Sequence, residues 1–68
     1  MKICYNRLWK LLIDKGMTKT ELRSKAGVSS NALAKMGRDE DVSTKVLCKI
    51  CAYLDCQLED IAEVIPEK

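Results

Sequence analysis

Ser30, Asn31, Ala34, Lys35 and Arg38 fall at i, i+1, i+4, i+5 and i+8, a spacing that lays them along one side of a helix. The stripe is polar and short near its start, positively charged at its end, and free of acidic residues. Hydrogen-bonding groups beside cations, with nothing bulky and apolar between them, suit the base edges and phosphates of a duplex groove. A merely solvated helix face would also be polar, but it ordinarily mixes charges of both signs.

The other reactive side chains point to less. The chain has no histidine, which removes the commonest general base and metal ligand. Its carboxylates form no catalytic pairing: Asp14 and Glu21 are isolated, and Glu59, Asp60 and Glu63 suit the first turn and surface of a helix. Cys4, Cys48, Cys51 and Cys56 admit three chemistries. A secreted disulfide framework fits poorly with an adequate apolar core and no signal-peptide pattern. Zinc would use Cys48-x-x-Cys51 with Cys56 and Cys4, but that pair lies inside a helical pattern and no second CxxC exists. A redox CxxC stands at a helix N-terminus, whereas this one begins several residues downstream. The expectation is that Cys51 and Cys56 fill core positions while Cys4 and Cys48 lie near the boundary. No catalytic residue, metal or cofactor is expected, and the chain is not read as an enzyme.

Charge is divided along the chain. Residues 1–38 carry nine Lys/Arg against Asp14 and Glu21, whereas residues 39–68 carry three Lys against eight Asp/Glu. Such a division suits a basic half facing a polyanion and an acidic half turned away. With 68 residues there is room for one modest core, hence a single domain over 1–68. No apolar run suffices for a membrane span or a signal-peptide core, so a cytoplasmic protein is expected.

The elements that must position the stripe read as helical throughout. Gly16, Gly27 and Gly37 each follow a helical pattern and serve as left-handed stops. A first helix from about Tyr5 to Lys15 turns Leu8, Leu11 and Leu12 inward. A second, about 18–26, opens with a Thr18–Glu21 capping box and buries Leu22 and Ala26. A third, about 29–36, has Ser29 as its N-cap and Ala32, Leu33 and Met36 inward. Ser43 or Thr44 caps a fourth, with Val46, Leu47, Ile50, Cys51 and Leu54 as its buried stripe. A fifth, about Leu58 to Val64, closes the domain with Leu58, Ile61, Ala62 and Ile65. The second and third helices, joined at Gly27 by a turn too tight for a Cβ, form a pair crossing steeply.

Thr18-Lys-Thr-Glu-Leu22, Lys25-Ala-Gly-Val-Ser-Ser30 and Leu33-Ala-Lys-Met36 resemble the helix-turn-helix of the Cro/phage-repressor (XRE-type) DNA-binding domains. Val42-Ser-Thr, Leu47-Cys-Lys-Ile50, Tyr53-Leu54 and Leu58-Glu-Asp-Ile61 extend the resemblance to that family's fourth and fifth helices. It implies an all-α, five-helix, lambda-repressor-like domain that regulates transcription, as a repressor, by binding double-stranded DNA. The third helix becomes the recognition helix, with Ser30, Asn31 and Lys35 at positions that touch bases. Asn31 suits a paired bond to adenine, and Lys35 reaches guanine or a phosphate. Lys19, Thr20 and Arg23 match phosphate-facing positions of the second helix, while Ser29, Arg38, Ser43 and Thr44 flank the same groove.

Two departures from the family stand out. Arg23 occupies a position that is usually small, which requires its stem to snorkel along the helix contact. Lys19 and Ser30 stand where glutamine is common, so sequence preference cannot be copied from relatives. The run Asp39-Glu-Asp41 lies near the DNA face and must bend away or trim affinity. A homodimer through helix 1 (Trp9, Ile13) and/or helix 5 (Val64-Ile65) suits a palindromic site with half-sites about 34–36 Å apart. The alternative reading is an antitoxin-like or accessory protein-interaction module on the same fold, using its acidic half. A redox-responsive regulator acting through Cys48 or Cys4 is a third.

Overall fold

The computed structural model describes residues 2–66. It contains β1 (Lys2–Cys4), α1 (Asn6–Lys15), α2 (Lys19–Ala26), α3 (Ser30–Gly37), α4 (Thr44–Leu54), a 3-10 turn (Leu58–Asp60) and β2 (Glu63–Ile65). Hydroxyls start three of the helices. Thr18 accepts the Glu21 amide at 3.1 Å, and the Glu21 carboxylate accepts the Thr18 amide at 3.4 Å, completing the capping box. Ser29 accepts the amide of Ala32 at 3.1 Å, and Ser43 that of Val46 at 3.3 Å.

All four helices end through a left-handed residue, but only two of those residues are glycine. Gly16 and Gly27 have φ of 68° and 72°; Asp39 (56°) and Asp55 (53°) close the other two. Gly37 is the last residue of α3 rather than its stop. The Glu40 amide donates to the Lys35 carbonyl at 2.9 Å and the Asp39 amide to the Met36 carbonyl at 3.1 Å, a Schellman closure on Asp39 and not on Gly37. At Gly27 a Cβ would meet nothing within 4 Å, so positive φ alone requires glycine there, not crowding.

The fifth helix is absent. Its place is taken by the single 3-10 turn, after which β2 runs antiparallel to β1 with Lys2 opposite Ile65, Ile3 opposite Val64 and Cys4 opposite Glu63. The structure is thus a four-helix fold with a two-stranded sheet. β-Branched Val64 and Ile65 favour extended backbone once a partner strand is at hand, and Lys2–Cys4 supply it. Leu58, expected inside, is 51% exposed, whereas Ile61 and Ala62 are buried as expected.

One core unites the elements: Tyr5, Leu8, Leu22, Met36, Ile50 and Ile61 are its fully buried members. Tyr5 joins it from the joint between β1 and α1, outside the expected stripes. The cysteine placement also differs from expectation. Cys4 is buried at the end of β1, Cys51 and Cys56 are half-buried, Cys48 is exposed, and all are free thiols. Among the described residues no group of three or more His, Cys, Asp or Glu gathers as a metal site. No helix there is long and apolar enough to cross a membrane.

Candidate nucleic-acid interface

The polar stripe of α3 faces outward. Ser30, Asn31, Ala34, Lys35 and Arg38 are all exposed, while Met36 on the opposite side of α3 is sealed in the core. Among the described residues, the side chains of Ser30, Asn31 and Lys35 make no hydrogen bond or ion pair with the rest of the chain. Ser29, Asn31, Lys35 and Ser43 line one hollow of about 230 Å³ between α3 and the start of α4. Four of the expected contact residues are thereby brought together on one face.

Two capped helix starts, those of α3 and α4, border it, and α2 has a capped start of its own. Lys19 and Thr20 are the first residues of α2, and Thr44 is the first of α4, all exposed. Caps at Ser29 and Ser43 use the hydroxyl as an acceptor, which leaves its proton available to an outside phosphate oxygen. Arg23 alone of the expected set is half-buried. Its carbonyl accepts the Val28 amide at 3.1 Å, so this residue also helps close α2. Lys49 on α4 reaches across to donate to the Gly27 carbonyl at 3.3 Å, bracing the turn between α2 and α3.

The acidic run is drawn aside only in part: Asp39 is tied down, while the Glu40 carboxylate stays beside the charged end of the stripe, near enough to Lys35 to feel its charge. Asp39 accepts the Tyr5 amide at 3.3 Å, and the Tyr5 hydroxyl donates to the Glu40 carbonyl at 2.9 Å. These bonds strap residues 39 and 40 to the start of α1. Burial, together with the charges of Asp41 and Asp39, pushes the Tyr5 phenol above its ordinary value. The Glu40 carboxylate turns back and accepts from the Arg38 guanidinium at 2.7 Å. That bond holds the Glu40 carboxyl below its usual range. Arg38 therefore reaches the expected DNA face already paired.

Sequence reasoning missed two contributors. Trp9, expected in a self-association patch, has the Lys19 ammonium 4.3 Å from the centroid of its ring. Lys49 carries no sequence signal, because its partner is a backbone carbonyl 22 positions away. Neither pairing lies at a helical spacing, so only the packing of α1 on α2 and of α4 on the turn reveals it.

The Cro/C1-type HTH DNA-binding domain model matches residues 7–67. A crystal structure of the transcriptional regulator VanUg (Form II) is similar throughout, at 53% identity and a TM-score of 0.94, covering 97% of this chain and 88% of that one. No curated protein matches. The chain belongs to the Cro/C1-type helix-turn-helix DNA-binding family. The class that fold, face and matches define is a DNA-binding regulator of transcription.

Proposed function

We propose that the protein is a sequence-specific repressor that lays α3 in the major groove of double-stranded DNA. The exposed side of α3, on which Ser30, Asn31 and Lys35 have no internal partner among the described residues, carries this reading. Ser30, Asn31 and Lys35 read base edges, Asn31 by a bidentate bond to adenine. Lys19, Thr20, Ser29, Ser43 and Thr44 meet phosphates at the helix starts, where backbone amides favour anions. Arg23 and Arg38 add charge at the margin, Arg38 only after leaving Glu40. Occupying a promoter is the simplest use of such a module, which favours repression, and the work is cytoplasmic.

A single module of this kind buries about 600–1,000 Å² of protein surface, too little for high specificity alone. We therefore place two copies on a palindrome. Ile13 on α1 is 78% exposed and Val64 on β2 is 63% exposed, which offers two apolar patches for self-association. Light scattering with and without DNA checks this, a strict monomer in both counting against it.

Selection of bound sites from a random duplex pool tests the main reading, since it reports both motif and symmetry. Affinity for the selected site should fall steeply with salt as phosphates shed counterions. Lys35→Ala should weaken binding by about tenfold or more without moving the melting temperature. If neither Lys35→Ala nor Asn31→Ala weakens it, the protein-interaction module replaces the repressor.

A further inference from the structure

The geometry points to Trp9 as a positioning residue for DNA binding: its ring holds the Lys19 ammonium at the mouth of α2, ready for a phosphate. The inference rests on Lys19 being a phosphate contact, as proposed above. Three observations carry it. The ammonium stands 4.3 Å from the ring centroid, within cation–π range. Trp9 is half-buried against the core, so the ring is a fixed platform and not a loose side chain. The joint between the two residues is clamped at both ends. The Met17 amide donates to the Leu12 carbonyl at 2.9 Å, and the Thr18–Glu21 box fixes the first turn of α2.

Lysine otherwise loses much rotamer freedom when its ammonium is pinned to a phosphate. Here that freedom is already restricted before DNA arrives. The ring face attracts the cation as a whole and leaves N–H donors pointing outward for phosphate oxygens. Trp9, Leu12, Ile13, Met17, Thr18 and Lys19 line a hollow of about 260 Å³, so the indole borders open solvent where the ammonium sits.

A double-mutant cycle on DNA affinity tests this, with each fold checked by circular dichroism. Lys19→Met should weaken binding and lower the salt slope by about one. Trp9→Leu should weaken it two- to fivefold, roughly the strength of an exposed cation–π contact. Adding Trp9→Leu to Lys19→Met should change nothing further, and Trp9→Phe should recover part of the loss. The protein has one tryptophan, so its emission should also shift on DNA binding, less so in Lys19→Met. Equal losses from Trp9→Leu in both backgrounds overturn the inference by making the ring's role structural. No loss from Lys19→Met overturns the phosphate reading of Lys19 and the inference with it. Should Trp9→Leu fail to fold, Trp9→Tyr and Trp9→Phe supply the same cycle.

Discussion

The outer side of α3 and the surroundings of the start of α1 treat polar groups differently. On the outer side Ser30, Asn31 and Lys35 have no partner among the described residues. Around the start of α1 several polar groups are engaged instead: Asp39 with the Tyr5 amide, the Tyr5 hydroxyl with the Glu40 carbonyl, and Arg7 with the Glu59 carbonyl at 2.9 Å and Glu63 at 3.4 Å. Side chains that fasten the fold are satisfied internally, whereas those left spare are available to another molecule. Spare polarity on a rigid support, joined to the helix-turn-helix layout, is what singles out the proposed DNA face.

The largest test of that contrast concerns the support. Leu22→Ala removes a fully buried side chain from α2 and should cost about 2–5 kcal/mol of stability, read by thermal or urea unfolding. DNA binding should vanish with the fold. Asn31→Ala should do the reverse, leaving the melt unchanged while costing about 1–3 kcal/mol of affinity for the selected site. Affinity for random duplex should hardly change, because base contacts and not phosphate contacts are lost. A melt shifted by Asn31→Ala would mean that the outer side also fastens the fold.

Features written in local spacing were legible before any coordinates. The Thr18 and Ser29 caps, the Gly16 and Gly27 stops, and the buried stripe through Leu47, Ile50 and Leu54 lie where period and cap chemistry put them. Features that depend on a distant partner were not. Aspartate is a poor stop signal, yet Asp39 takes φ of 56° because its carboxylate is needed by an amide 34 residues earlier. The expected fifth helix gave way to β2 because Lys2–Cys4 offer a ladder that helical periodicity cannot register. On the DNA face the exposed stripe was readable from α3 alone. The pairing of Arg38 with Glu40 was not, since residues two apart do not face each other on a helix and the pair forms only where the chain leaves α3.

The strap can be weakened without touching the outer side. Asp39→Gly keeps the left-handed backbone but removes the acceptor for the Tyr5 amide, at a cost of about 1 kcal/mol in unfolding experiments. Alkali should reach the same inner groups. Burial first, then the neighbouring Cys51, pushes the Cys56 thiol up to about 11 from an ordinary 9.0. A raised folded value keeps stability intact below pH 9.0 and removes it as pH climbs toward about 11, because the unfolded thiol ionises first. Tyr5, also raised, adds loss in the same direction above 10.0. Urea midpoints measured across this range should fall, and Cys56→Ala should flatten the earlier part of the decline.

The smallest effect expected bears most directly on the boundary between the two regions. Glu40→Gln removes the charge that pairs with Arg38, both groups being largely solvent-exposed, so stability should scarcely change. What changes is the guanidinium, which becomes available to a phosphate while the net charge rises from +2 to +3 with the loss of one carboxylate. Affinity for random and selected duplexes should therefore rise together, a few-fold at low salt, with a salt slope steeper by about one. Arg38→Ala in the native background should cost less than Lys35→Ala, since Arg38 must first break its bond to Glu40. In the Glu40→Gln background its cost should grow. If Glu40→Gln leaves affinity and slope unchanged, Arg38 belongs with the fastened side chains and the DNA face ends at Lys35.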